Sequence, residues 1–422
     1  MSRVLHVLLE GQHAGDVTQS DTGNLTFTYR EEYLGSPSVT PLSLSMPPGP
    51  GVYRQRQIRA YLNGLLPDSD DVRDRWGEQF GVNAANPAAL LAHMGMDCAG
   101  GVQFTEGTID DALARTGELW PIDVEGIAER LRSLRNDTSE WTVPGERWSL
   151  AGAQAKFTLA RTPDGAWHEP TGSMPSTHII KPGVTGYRDQ ALNEHLCLRA
   201  CAELDVLAAQ TEFIEFAGES ALVVTRYDRA RTSDGVIRLH QEDMCQALAV
   251  PPKRKYETSG GPTAQQIART LRDAGAPEGD LYRFADALIL NYLLGAPDAH
   301  AKNYSVLLRG SQVRLAPMYD VASALPYDPE RADHELDQGA MSVGGEKTFG
   351  RVTVRHWRKL ARTAGLDADR VVERVRELAE QLPDALTTVC SDHRGELANR
   401  LTSAVTALAA TTLAGLRQGM RA

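Results

Sequence analysis

The chain has 422 residues, 42% of them hydrophobic and 23% charged, which suits two or three packed subdomains rather than one core. Lys and Arg number 44 against 55 Asp and Glu, and the formal net charge of -11 excludes wholesale coating of nucleic acid or an anionic membrane. No stretch approaches the run of about 20 apolar residues that spans a bilayer. The first ten residues run into strand-like alternation without the apolar core or cleavage site of a secretory signal. Cys98, Cys197, Cys201, Cys245 and Cys390 are too scattered for a disulfide framework or a C-x-x-C zinc site, so a reduced, cytoplasmic protein with no membrane partner is expected.

In chain order, residues 4–10 and 25–29 alternate like strands, with Gly-rich turns between them. A Pro-Pro-Gly-Pro-Gly break at 47–51 precedes helical patterns over 54–66 and 87–96, and a short strand closes this part near 98–104. Helical periodicity over 124–134 leads into a loop at 136–147. A β-rich block follows, with strands at 155–161, 177–181, 212–217 and 221–227 and a helix at 189–203. From residue 241 the pattern is mostly helical, strongest at 281–294, 371–382 and 398–416, with one hairpin at 304–316. The expected class is α+β: a two-lobed arrangement with a β-rich lobe, an extra N-terminal subdomain before it and a helical lobe after it. The corresponding divisions are 1–110, 111–240 and 241–422.

The densest chemistry is Asp298-Ala-His-Ala-Lys-Asn303, a hairpin, and then Met318-Tyr-Asp320. Asp-x-x-x-x-Asn is the spacing of a kinase catalytic loop, whose Asp accepts the substrate hydroxyl proton while the Asn holds Mg²⁺. The hairpin brings Asp320 back towards Asn303 as a second hard oxygen ligand. Taken alone, Asp298 and Asn303 read equally well as loop caps. A zinc site from Asp298 and His300 lacks further ligands at useful spacing, so His300 is expected to steady the loop.

A kinase also needs a cation on the phosphates. Lys181 ends the strand His178-Ile-Ile-Lys181, where it is placed either to reach the α/β-phosphates or to protect a sheet edge. Glu194 on the following helix is a candidate ion-pair partner for it, or a solvated helix residue. Ser149-Leu-Ala-Gly-Ala-Gln-Ala-Lys156 is a small-residue loop whose backbone at Ala151, Gly152, Ala153 and Gln154 can approach phosphates, with Lys156 adding charge. It matches neither standard glycine-rich nucleotide motif. The strand over 221–227 offers Thr225 and Tyr227 to an adenine edge, with core packing of Tyr227 as the alternative.

These motifs, with His240-Gln-Glu-Asp-Met-Cys-Gln246, Lys255-Tyr-Glu257, Gly260-Gly-Pro262 and Tyr319-Asp-Val-Ala-Ser323, resemble the HipA family of bacterial toxin kinases in order and spacing. Pro41-Leu-Ser-Leu-Ser45, Leu62-Asn-Gly-Leu-Leu-Pro67 and Asp97-Cys-Ala-Gly-Gly101 extend the resemblance over nearly the whole chain. It implies a serine/threonine-protein kinase using ATP and Mg²⁺. Asp298 would be the base, Asn303 and Asp320 the metal ligands, and Lys181 the phosphate cation. Gln241, His300, Lys302 and Tyr319 would line the nucleotide site, and Thr225 and Tyr227 the hinge. Ser149 would be an autophosphorylation site that switches the enzyme off. The family's usual partners are a HipB-like helix-turn-helix antitoxin, operator DNA through that antitoxin, and substrates that include aminoacyl-tRNA synthetases. Ala155 departs from the Glu common at that loop position. A kinase-like corepressor and a small-molecule kinase are the competing classes, and the basic stretch 351–362 is either a DNA-phosphate contact or a solvated helix face.

Overall fold

The computed structural model describes residues 3–113, 116–143, 145–327 and 334–419. By compactness the chain divides into two units. The first is Met1–Pro182, Ile214–Lys253 and Val306–Gln312; the second is Gly183–Phe213, Arg254–Ser305 and Val313–Ala422.

The first unit opens with a five-stranded antiparallel sheet in the order Val52–Arg54, Leu25–Tyr29, Gln12–Gln19, Arg3–Leu9, Val102–Thr105. Alternation of Leu5, Val7 and Leu9 buries one face against the helices Gln55–Leu65 and Pro87–Met94. The second helix starts where it does because the Asn86 side chain accepts the Ala89 amide and Pro87 fits the first turn. The stretch Gln12–Gln19, expected to be turn, is a strand. Its polar residues hide the period, and Gly15 marks a close approach, since a Cβ there would lie 2.4 Å from the Thr28 carbonyl oxygen.

A six-stranded sheet follows in the order Thr211–Phe216, Glu219–Thr225, His178–Lys181, Phe157–Arg161, Trp167–Pro170, Leu119–Pro121. Ile180 pairs with Val223 and Phe157 and is fully buried in a core shared with the first sheet. Strand alternation therefore turns its neighbour Lys181 to the opposite face. Two residues of parallel pairing join Asp97 and Cys98 to Trp148 and Ser149, which sets the start of the small-residue loop.

The second unit is helical. Glu278–Leu293 is buried along most of its length, and the long helices Ala368–Cys390 and Glu396–Gly419 pack on each other. Ala368–Cys390 tolerates Pro383 and buries Val371, Val375, Leu378, Leu382 and Leu386 along one stripe. Two β elements interrupt the region expected to hold one hairpin only: the strand His240–Asp243 at its start, and the pair Gln338–Val343 with Glu346–Thr348. Strands of three to six residues leave too little period to read. Among the described residues no helix is long and apolar enough to cross a membrane.

Candidate active site

The catalytic-loop candidates lie together in the second unit. Asp298 begins a tight loop in which the His300 amide donates to the Asp298 carbonyl (2.8 Å) and the Asn303 amide to the His300 carbonyl (2.9 Å). The Asn303 side-chain nitrogen donates to the same Asp298 carbonyl at 2.7 Å, so the two residues five apart are clamped face to face. The Asp298 side chain is 62% exposed, and the Tyr256 hydroxyl orients it with a 2.6 Å hydrogen bond. His300 packs edge-on against Tyr256 with ring centroids 5.0 Å apart. Burial depresses His300 to about 4, against which the Asp298 charge works, so its imidazole is neutral near pH 7. Its Nδ1 has no hydrogen-bond partner among the described residues. His300 thus wedges the loop as a packed neutral ring. The sole grouping of three metal-binding side chains among the described residues lies elsewhere, at His6, His13 and Asp16.

The return segment is tied to that loop. The Tyr319 hydroxyl donates to the Lys302 carbonyl (2.6 Å) and accepts from the Ser305 hydroxyl (2.6 Å). Asp320, the next residue, has φ +54°, a left-handed conformation costly for a side-chain-bearing residue and frequent at functional positions. Beyond it, the Asn193 amide clamps Ser323 from both sides: its nitrogen donates to the Ser323 carbonyl (2.8 Å) and its oxygen accepts the Ser323 amide (2.9 Å). Asn193 and the buried Glu194 lie on the helix Gln190–Glu203. Asp280 anchors the hairpin base, accepting from Arg283, Arg314 and the Leu315 amide.

The remaining candidates lie in the first unit. Lys181 is 3% exposed at the end of its strand. Ser149 is fully buried, and its hydroxyl donates to the Leu65 carbonyl at 2.9 Å. The loop after it is held to the N-terminal part by the Asp68 amide on the Gly152 carbonyl (2.9 Å). Gly152 has φ +102°, and a Cβ there would meet the Lys156 amine at 2.6 Å. That amine donates to the Ala151 carbonyl (2.8 Å) and lies 5.0 Å above the Trp141 ring, so its charge is engaged within the loop's own turn. Ala151, Gly152, Ala153 and Gln154 are partly or fully exposed. Thr225 pairs with His178 at the strand end, and the Tyr227 hydroxyl donates to the Gln241 side-chain oxygen.

Two features were not read from the sequence. One is a buried ionic cluster beside Tyr227. Asp97 meets Arg226 (3.3 Å), Arg229 (2.8 Å) and Arg238 (2.9 Å), while Asp228 accepts from Arg226 (3.0 Å) and the Gly100 amide (2.7 Å). Burial alone would raise both carboxyls, but the guanidiniums outweigh it and hold Asp97 well below the usual range and Asp228 near 2. The other is Glu242, next to Gln241, which burial pushes up to about 8 although the Leu44 amide donates to it (2.6 Å). Tyr256 was visible in its motif without a role. Its partner is 42 residues away, and no local pattern marks that pairing.

The α+β fold, with a β-rich first unit and a helical second unit carrying an Asp–Asn loop, defines a protein of the protein-kinase-like class. Residues 148–386 match the family model of the HipA-like C-terminal domain, and residues 5–105 that of the HipA N-terminal domain. The chain belongs to the HipA family and is a serine/threonine-protein kinase by that membership. A Sinorhizobium fredii protein named as a kinase is 34% identical over 395 residues, covering 92% of each chain. The serine/threonine-protein kinase toxin HipA of Shewanella oneidensis is 28% identical over 405 residues, covering 90% of this chain and 87% of that one. The fold matches HipA in a solved complex of that organism's HipA, HipB and operator DNA. That match has a TM-score of 0.85 and 24% identity, and covers 99% of each chain.

Proposed function

We propose that this kinase transfers the γ-phosphoryl group of ATP to a protein serine or threonine, with Asp298 accepting the hydroxyl proton. The observation that carries the reading is the clamp of Asn303 onto the Asp298 carbonyl. It commits the amide nitrogen of Asn303 to the loop and leaves its side-chain oxygen as a hard ligand. Together with the left-handed Asp320, that chemistry fits Mg²⁺, which when bound would neutralise charge between phosphates. Lys181, at the end of a well-formed strand, serves the ATP phosphates. The backbone of Ala151–Gln154 covers those phosphates. Thr225, Tyr227, Gln241, His300, Lys302 and Tyr319 line the nucleotide site. The three functional parts are 1–110, 111–240 and 241–422.

Biologically, the enzyme acts as the toxin of a toxin–antitoxin pair in the cytoplasm. It arrests growth by phosphorylating a translation protein such as an aminoacyl-tRNA synthetase, and is restrained by a HipB-like antitoxin that carries it to operator DNA. The HipA relative named as a toxin supports this, as does the HipA–HipB–operator DNA complex that shares the fold. Ser149 is the self-inactivation site. Its hydroxyl faces the Leu65 carbonyl as a donor, so a phosphoserine there would set acceptor oxygens against an acceptor and force the loop out. The test is phosphosite mapping after incubation with Mg²⁺ and ATP, alone and with a cell lysate. Label on Ser149 and on a small set of lysate proteins is expected. A protein that binds ATP and labels neither would be better described as a nucleotide-sensing corepressor.

A further inference from the structure

We infer that His6, His13 and Asp16 form a second, independent metal site on the outer face of the N-terminal sheet, suited to Zn²⁺ or a divalent ion of similar softness. His6 and Asp16 are direct cross-strand partners on the antiparallel strands Arg3–Leu9 and Gln12–Gln19. His13 and Asp16 are three apart on one strand, and in a regular strand they would project from opposite faces. They do not, because the register slips between Val7 and Leu8: Val7 pairs with Gly15 and Leu8 with His13, leaving Ala14 as an extra residue. Such a bulge re-aims the side chains beyond it. Here it brings three metal-binding side chains to one point, with all ligand atoms within 4.8 Å of one another.

The donor set is chemically apt. His6 Nδ1 and His13 Nε2 lie 2.6 and 2.9 Å from the same oxygen of Asp16, and the two rings meet edge to face at 5.2 Å. Around zinc, ligand atoms sit roughly 3.3 Å apart, so each imidazole nitrogen need only draw back from the Asp16 oxygen by a fraction of an ångström as the shared protons are exchanged for the ion. The three side chains are 29%, 13% and 26% exposed, which lowers the cost of stripping their water while leaving a fourth position open. The opposing charge is Arg30, 3.7 Å from the other Asp16 oxygen, and it already has an alternative partner in Glu32 at 3.3 Å. Two imidazoles and one carboxylate with an open position form a set that zinc uses, whereas Mg²⁺ prefers all-oxygen surroundings. The site uses none of the residues assigned to phosphoryl transfer.

The test is zinc titration of the metal-stripped full-length chain by calorimetry, alongside Co²⁺ titration followed by visible absorption. The parent is expected to take up one zinc at this site and to give the absorption of tetrahedral Co²⁺. Uptake should weaken as pH falls and protons compete for the imidazoles. His13→Ala and Asp16→Asn should each weaken it at least about tenfold. His13→Gln, which keeps a hydrogen-bond donor to Asp16, should keep the sheet intact and still lose the tetrahedral Co²⁺ signal. Uptake unchanged in all three variants would place the metal elsewhere and overturn the inference. So would a parent chain that takes up no zinc at micromolar concentration.

Discussion

At the scale of single residues, the base candidate is an exposed carboxylate that depends on a neighbour for its aim. The Tyr256 hydroxyl supplies that aim at 2.6 Å. Tyr256→Phe keeps the ring contact with His300 and removes the hydrogen bond alone. The expected result is turnover lower by about ten- to a hundredfold with an unchanged KM for ATP, read from steady-state phosphotransfer. A second single-residue prediction concerns Glu242. Its carboxyl is raised from 4.5 to about 8 by burial, so the protonated form is the one the fold accommodates. The stability tied to it is fully present below pH 4.5 and is lost as pH rises through about 8. Thermal melts across that window should show a falling Tm for the parent and a flatter profile for Glu242→Gln. The Asp298–Asn303 pair was legible in the sequence because both members lie in one hexapeptide whose spacing encodes the clamp. The hydrogen bonds of Tyr256 and Asn193 were not legible, because each acts on a backbone or side chain far along the chain.

At the scale of elements, the loop 149–156 behaves as part of the N-terminal subdomain as much as of the sheet it enters. Ser149 is held by the Leu65 carbonyl, Gly152 by the Asp68 amide, and the flanking strand by Asp97 and Cys98. The sequence displayed the small residues of this loop, but not its attachment to the N-terminal subdomain. The destination of Lys156 was not displayed, because a lysine near a phosphate loop and a lysine folded over Trp141 look alike in one dimension. Ser149→Ala should cost about 1 kcal/mol by removing one hydrogen bond. Ser149→Asp should cost more, about 1–3 kcal/mol, by setting a charge against the Leu65 carbonyl, and should also raise the protease sensitivity of the loop. Denaturant unfolding of the pair, with limited proteolysis, checks the order. The helices Pro87–Met94, with its Asn86 cap and Pro87 in the first turn, and Gln190–Glu203 were readable to within a few residues. The strand Gln12–Gln19 was not, since its bulge and Gly15 break the period-two pattern that identifies a strand.

At the scale of the molecule, the compact units are assembled from stretches that are not continuous in sequence, and charged side chains help to close the first of them. Asp97, Arg226, Asp228, Arg229 and Arg238 come from three places in the chain and are buried together. Such a network is invisible to composition, which registers only a chain rich in acids. Asp97→Asn leaves three guanidiniums facing a neutral amide and should destabilise the fold by about 3 kcal/mol or more, measured by chemical denaturation. Family membership covers both halves of the chain, with the N-terminal and C-terminal domain models matching in order. Their shared burial in the first unit makes the N-terminal subdomain part of the kinase's own structure.

The most direct test of the proposed active site is transfer of label from γ-labelled ATP by the parent and by Asp298→Asn, with nucleotide affinity measured on both. The Asp298 side chain is largely exposed, so the variant should fold and bind ATP as the parent does. The expected outcome is transfer reduced by about a hundredfold or more in the variant with affinity intact. Transfer at the parental rate in Asp298→Asn would contradict the assignment of this residue as the base.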